Sequence, residues 1–470
     1  MYLESLQLEN IKCFKDLEIN FMEARGKPRL MTVVLGDNGV GKSTLLQAIA
    51  ITLGGKKITD LLAGRLGNWV RKENKQGEIH AVIRPGDSDT GAPKRRRLEV
   101  SYLATGDQPV TLNDIFYDKL TISAKQGDDL QVLNRTAYSE ASKGWLACGY
   151  GPFRRLTDRA QSSFYFVSDT RDTKAARFAS LFGDDDGLIQ LEDWLIELDR
   201  RSLLAKREGR DTFHSRLFNQ LAWTLLHMLP EEGPRSIIGG ANDLQAADLA
   251  PEYVRTTEDQ GVVCLDAFGN WVPISQLSDG YQGTMAWVGD LVSRLSRAFP
   301  EAENLFEQQG VVLIDEIDVH LHPSWQRKIL SQLRQRFPKI QFVVTTHSPL
   351  VAAGAEEGEL IVLKRQGDRV IAEPESPVQG WLADQILTSS LFGLETTRDP
   401  ETQQQLAQYD ELLSKRAEGE LDERDAQLIR LEEILRQKLP APAETREQRE
   451  LYQRMQTYIE QTLSQRETDD

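Results

Sequence analysis

The apolar and polar positions at the start of the chain read as a β-strand over residues 3–8, where Leu3, Leu6 and Leu8 stand among polar neighbours and Leu6 and Leu8 keep the two-residue period. A second strand is expected over residues 30–35, where Val33, Val34 and Leu35 follow Thr32 as a buried run. A glycine-rich turn comes next, and residues 43–50 (Ser-Thr-Leu-Leu-Gln-Ala-Ile-Ala) then read as a helix. Further strands are expected at 79–83 and 98–102. The turn-rich stretch between them, ending in Lys94-Arg95-Arg96-Arg97, reads as a hairpin tip.

From about residue 188 to 227 the period becomes helical, with Leu191, Trp194, Leu195 and Leu198 on one face and Leu217, Leu221 and Leu225 on another. Strand patterns return at 261–265, 310–314, 340–345 and 359–363. Beyond Asp384 the pattern is helical to the end, with breaks at Pro400, Pro440 and Pro442. Leu406, Leu412 and Leu413, then Leu428, Leu431, Ile434, Leu435 and Leu439, mark two amphipathic helices. The expected organisation is an α/β head in two parts (1–170 and 256–375), a helical insertion at 171–255 and a C-terminal helical region at 376–470.

With 470 residues the chain exceeds what one core usually organises, which suits this division. It carries 40% hydrophobic and 27% charged residues, and no run of about twenty apolar residues suggests a membrane span. The N-terminal segment lacks a targeting profile, and Cys13, Cys148 and Cys264 are too scattered for a metal site. A cytoplasmic protein with buried thiols is the expectation. The net charge of −16 disfavours a protein that coats nucleic acid nonspecifically, because that binding needs Lys and Arg to neutralise phosphates.

Gly36-Asp37-Asn38-Gly39-Val40-Gly41-Lys42-Ser43 matches the phosphate-loop pattern in the strand–loop–helix setting the pattern requires. Gly36, Gly39 and Gly41 let the backbone N–H groups of the loop, Asn38 included, turn onto phosphates, and the following helix adds its positive end. Lys42 is expected at the β- and γ-phosphates of ATP, Ser43 on Mg²⁺ and Thr44 near the α-phosphate. Val311-Val312-Leu313-Ile314-Asp315-Glu316 is an apolar strand ending in two carboxylates. Asp315 is expected to hold the Mg²⁺ shell through water, and Glu316 to act as general base on the attacking water.

Two more segments complete the order: 276–282 (Gln-Leu-Ser-Asp-Gly-Tyr-Gln) before a helix, and 343–349 (Val-Val-Thr-Thr-His-Ser-Pro) ending a strand in a histidine. The four together resemble ABC-type ATPases of the SMC, RecF and OLD group. That resemblance implies a P-loop ATPase head, with Ser278 and Gly280 in the signature role, closing over nucleotide held by a second copy. His347 would contact the γ-phosphate. Asp279 stands where the signature has a glycine and is expected to point away. The segment Ile317-Asp318-Val319-His320-Leu321-His322-Pro323 also resembles this group, placing Asp318 at the dimer seam; metal binding by His320 and His322 is the other reading. Transporters set the signature much closer to the loop, SMC arms would need long heptads, and the region after His347 shows no TOPRIM acidic set.

Residues 150–155 (Tyr-Gly-Pro-Phe-Arg-Arg), 277–281 and 391–400 resemble ATPases of bacterial anti-phage operons, in particular the PtuA family of the Septu systems, which works with an HNH-type nuclease, PtuB. The resemblance implies a homo-oligomer, at least a dimer with a hexamer open, and a partner nuclease outside this chain. The alternatives are a RecF-like repair ATPase acting directly on DNA and a PARIS-type ATPase holding a TOPRIM nuclease. Residues 94–97 read either as a solvated loop or as a DNA contact, and Arg154 with Arg155 as lining the nucleotide site or the seam. The C-terminal helices read as a docking platform or as a cap on the head. Gln161 is the candidate for the glutamine of the Mg²⁺ shell.

Overall fold

Strands buried on both faces decide this architecture, because successive side chains of one strand enter opposite cores. The computed structural model describes residues 1–55, 58, 69–91, 96–112, 115–124, 129–152, 173–182, 191–209, 213–228, 254–257, 259, 261–266, 269–418 and 425–438. Backbone contacts divide the chain into two units, Met1–Gly393 and Leu394–Asp470.

In chain order the strands of the first unit begin with β1 (Tyr2–Ile11), β2 (Phe14–Asn20), β3 (Met31–Gly36), β4 (Gln76–Arg84), β5 (Leu98–Leu112), β6 (Ile115–Ala124) and β7 (Leu146–Tyr150). They continue with β8 (Val254–Thr257), β9 (Gly261–Leu265), β10 (Trp271–Pro273), β11 (Gly310–Ile314), β12 (Ile340–Thr345), β13 (Leu360–Gln366) and β14 (Arg369–Glu375). Its helices are α1 (Lys42–Gly54), α2 (Leu130–Arg135), α3 (Leu191–Arg207), α4 (Phe213–His227), α5 (Asp279–Ala298), α6 (Pro323–Gln326), α7 (Ile329–Arg336), α8 (Pro349–Ala352) and α9 (Ala383–Leu387).

The central sheet runs β14-β13-β3-β12-β11-β7, parallel except for the β13–β14 hairpin. A second, antiparallel sheet runs β2-β1-β4-β5-β6, and a third runs β10-β9-β8. Because β3, β12, β11 and β7 are parallel, their carboxyl ends, at Gly36, Thr345, Ile314 and Tyr150, share one edge. In open α/β sheets that edge is where ligands bind.

The period-2 alternation then sorts the core. Met31, Val33 and Leu35 of β3, Val312 and Ile314 of β11 and Phe342 and Val344 of β12 join one cluster with residues of α3, α4, α5 and α7. Val34, Val311, Leu313 and Val343 face the other way, onto α1 and the antiparallel sheet. Helix α1 lies between two sheets and buries Leu45, Leu46, Ile49 and Ile51 on several sides. A helix in that position is apolar nearly all round, as its sequence is. Helices α3 and α4, the expected insertion, place Leu191, Leu195, Leu217 and Leu221 in the same core as the central sheet.

The second unit carries α10 (Pro400–Ala417) and α11 (Ala426–Lys438). Asp399 caps α10 by accepting the Thr402 N–H at 3.0 Å, Pro400 occupies the first turn, and Lys415 and Arg416 sit in the last. Lys438 Nζ, at the end of α11, pairs with Glu401, at the start of α10, at 2.7 Å, so the two helices run antiparallel. Leu428, Leu431 and Leu435 are buried as the stripe requires, whereas Ile429 is 50% exposed.

Candidate functional site

The phosphate-loop candidate begins where β3 stops. Gly36 has φ 147°, and a Cβ there would meet Leu363 O at 2.7 Å and Val40 Cγ1 at 2.8 Å. Gly41 is left-handed, with φ 109°, and a Cβ would meet Cys13 Sγ at 2.4 Å and Phe14 Cζ at 2.8 Å. The β1–β2 turn therefore packs directly against the loop, and the Cys13 thiol donates to Val40 O at 3.4 Å. At the tip, Asp37, Asn38 and Gly39 are exposed.

Helix α1 opens at Gly41 with no side-chain cap, so its first amides are left to a ligand or solvent. Lys42 is buried, and its Nζ donates to Gly36 O at 2.7 Å and Asp37 O at 3.0 Å. Burial lowers its pKa, and the facing carboxylates Asp315, Glu316, Asp37 and Asp318 oppose that. Ser43 is exposed and Thr44 half-buried beside it.

Across the edge, β11 delivers Asp315, which is buried and whose N–H donates to Tyr150 O of β7 at 2.8 Å. Thr345, the last residue of β12, donates through Oγ1 to Asp315 Oδ1 at 2.5 Å and accepts the Glu316 N–H at 2.8 Å. Glu316 is half-buried and left-handed, with φ 47°. The next hydroxyl, Thr346 Oγ1, donates to Asp318 Oδ1 at 2.5 Å, and the His347 N–H reaches the same oxygen at 3.4 Å. The edge thus assembles Lys42, Asp315, Glu316, Asp318 and His347 from three neighbouring strands.

The signature candidate opens α5. Ser278 is the N-cap, extended at φ −64° and ψ 153°, exposed, and its hydroxyl makes no capping bond. Asp279 is exposed in the first turn. A Cβ on Gly280 would meet His320 O at 2.4 Å, so this turn lies against the loop that follows the acid strand. Gln282 ties the turn down, donating to Ser275 O at 3.0 Å and Leu277 O at 2.6 Å. Among the described residues no hydrogen bond or ion pair joins Ser278 or Gly280 to the Lys42 loop.

His322 caps α6, its Nδ1 accepting the Ser324 N–H at 3.3 Å, and His320 stands exposed with φ 65°. Among the described residues no group of three or more His, Cys, Asp or Glu side chains could hold a metal ion. Phe153, Arg154, Arg155 and Gln161, like Lys94 and Arg95, lie outside the described residues. Arg96 pairs with Asp129 at 2.6 Å and Arg97 with Glu4 at 2.6 Å.

Sequence reading missed several residues that shape the edge: Cys13 and Phe14 against the loop, Thr345 and Thr346 on the acids, and a buried group behind them. There, Tyr150 donates to Asp290 Oδ2 at 2.8 Å and Arg294 Nε donates to the same oxygen. Only the two threonines left a signal, a polar pair closing an apolar strand. Asp290 and Arg294 are hidden in a helix whose apolar stripe reads as ordinary core.

A parallel sheet with a glycine loop facing an acid turn across its carboxyl edge is the arrangement of a P-loop ATPase head, and the chain is similar to ATPases of that kind. A family profile described as "AAA domain, putative AbiEii toxin, Type IV TA system" matches residues 152–353, and one described as "AAA domain" matches 5–166. The chain is similar to the Septu protein PtuA of Bacillus mycoides (strain KBAB4), 27% identical over 428 residues, 89% of this chain and 48% of that one. It therefore spans about half the length of that relative. It is also 24% identical over 380 residues to the Retron Vc95 probable ATPase of Vibrio cholerae serotype O1 biovar El Tor, covering 74% of this chain and 71% of that one. A solved SMC head bound to the C-winged helix domain of ScpA aligns over 80% of this chain and 98% of that one, with a TM-score of 0.45 at 15% identity. No helix among the described residues is long and apolar enough to cross a membrane.

Proposed function

We propose that this chain binds and slowly hydrolyses ATP as the scaffold subunit of a bacterial anti-phage defence complex, and that nucleotide state regulates an HNH-type partner nuclease of the PtuB kind. The observation that carries the ATPase reading is the juxtaposition of Lys42 with Asp315 and Glu316 at one sheet edge, beneath an uncapped helix start. Its likeness to the Septu and retron proteins supports the defence setting.

The donor set fits ATP with Mg²⁺: backbone amides and a buried ammonium for phosphate, hydroxyl and carboxylate oxygens for a hard cation. Gly36, Asn38, Gly39, Gly41, Lys42, Ser43 and Thr44 hold the triphosphate, and Ser43 with Asp315 hold Mg²⁺. The cation, when bound, neutralises phosphate oxygens. Glu316 takes the proton of the attacking water and His347 touches the γ-phosphate. Ser278 and Gly280 of a second copy complete the site, so turnover per chain rises with protein concentration. The 376–470 region serves self-assembly or nuclease docking.

Equilibrium binding of ATP to Lys42→Ala tests the site; unchanged affinity would refute the loop assignment. Glu316→Gln is expected to trap ATP-bound dimers on gel filtration. Co-purification with the HNH protein of the same operon tests the partner. ATP-dependent duplex binding by the isolated chain, steep in salt, would instead favour direct action on DNA.

A further inference from the structure

We infer that Thr345 is a positioning residue of the acid turn, its one hydroxyl orienting the Asp315 carboxylate while holding Glu316 in its left-handed conformation. This rests on the nucleotide-site reading above.

Thr345 is fully buried and bonds three consecutive residues. Its Oγ1 donates to Asp315 Oδ1 at 2.5 Å and accepts the Glu316 N–H at 2.8 Å, and its carbonyl accepts the Ile317 N–H at 2.9 Å. Phe342, Val343 and Val344 precede it in an apolar strand, where valine would fill the same space without a polar atom to satisfy. The hydroxyl therefore needs a reason, and its two partners supply one. A glutamate at φ 47° sits in a region that side-chain-bearing residues seldom occupy, and such a conformation persists only when its surroundings over-determine it. The bond from Glu316 N–H to Thr345 is that restraint, and β-branching limits the rotamers through which the hydroxyl could leave.

The neighbouring residue repeats the device on the far side of the turn. Thr346 Oγ1 donates to Asp318 at 2.5 Å and accepts the Ser348 N–H at 3.0 Å. Two successive hydroxyls thus tie the acid turn to the turn carrying His347. A carboxylate held by such a partner presents its other oxygen in a fixed direction, which is how outer residues set the strength of a metal site.

The test compares Thr345→Val and Thr345→Ala, which remove the hydroxyl, with Thr345→Ser, which keeps it, all in the full chain. In nucleotide-free protein, hydrogen exchange at residues 315–319 is expected to speed up in the first two and to stay near wild type in Ser. With nucleotide, kcat is expected to fall about 10–100-fold in Val and Ala, and the Mg²⁺ concentration for half-maximal ATP binding to rise. Nucleotide affinity in EDTA is expected to stay the same, with Ser restoring kcat. Wild-type exchange and turnover in both Val and Ala would overturn the inference. So would an equal loss in all three variants that extends to affinity in EDTA, which would assign Thr345 to packing. A Lys42→Ala chain that still binds ATP would sink the site reading instead, leaving the exchange result to judge Thr345 alone.

Discussion

The phenol of Tyr150 donates a 2.8 Å hydrogen bond to Asp290, joining the last residue of β7 to the middle of α5. The Tyr150 carbonyl meanwhile accepts the Asp315 N–H at 2.8 Å, so one residue touches both the helix behind Ser278 and the acid strand. Burial would lower the Arg294 pKa, but Asp290 and Tyr150 more than reverse this and hold the guanidinium charged. Burial and the Asp290 charge drive the Tyr150 pKa well up, keeping it a neutral donor. Arg294→Met strands a buried carboxylate and is expected to cost about 3–5 kcal/mol. Tyr150→Phe leaves Asp290 its arginine and is expected to cost about 1–2 kcal/mol. Urea unfolding checks both; an equal effect would contradict this ranking.

Gly41→Ala tests the packing of the β1–β2 turn on the loop. At φ 109° a Cβ is strained in any surroundings, and here it also meets Cys13 Sγ and Phe14 Cζ at 2.4 and 2.8 Å. Nucleotide affinity is expected to fall at least about tenfold, with a stability loss of about 1–3 kcal/mol. Titration calorimetry and thermal melting measure the two effects.

Gly280→Ala acts at the other turn. Its Cβ would meet the backbone carbonyl of His320 at 2.4 Å, a contact that no side-chain rotation relieves. The expected result is ATP binding close to wild type with turnover down about tenfold or more, because the 278–280 turn shifts while the Lys42 loop does not. Equal losses of binding and turnover would show the two turns to be one unit.

Cys13 gives a pH-dependent readout. Burial raises its thiol pKa, and the backbone bond, Lys12 and Arg71 offset this only partly, so less thiolate exists at neutral pH than in a free cysteine. Maleimide labelling is expected to be slow at pH 7 and to accelerate as pH rises past the ordinary thiol range. Cys13 should react before Cys148 and Cys264, which are more deeply buried and have pKa values pushed up to about 11. An adduct on Cys13 crowds Gly41, so labelling is expected to abolish nucleotide binding. Mass spectrometry with a Cys13→Ser control checks the site of reaction.

Much of the fold was legible from local pattern. The strand pattern over 3–8 appears as β1, the apolar runs as β3, β11 and β12, and the 3.6 period as α3, α4 and the two C-terminal helices. β7 escaped notice because Leu-Ala-Cys-Gly-Tyr has two small residues and no alternation; it is a strand because β11 pairs with it, Gly310 against Leu146 through Ile314 against Tyr150. β14, with Pro374 between Glu373 and Glu375, is tolerated as an edge strand paired in its sheet with β13 alone.

The residues by themselves determined what depends on near neighbours: a strand that must stop at Gly36, a turn only glycines can make, a helix that starts without a cap, and carboxylates closing an apolar run. Those features act over a few bonds and are written into consecutive positions. Which acids confront Lys42, which hydroxyl holds each of them, and that Gly280 rests on His320 were decided only by the tertiary structure. Parallel pairing sets distant segments side by side, and the register of β3, β12 and β11 brings Gly36, Thr345 and Asp315 to one edge.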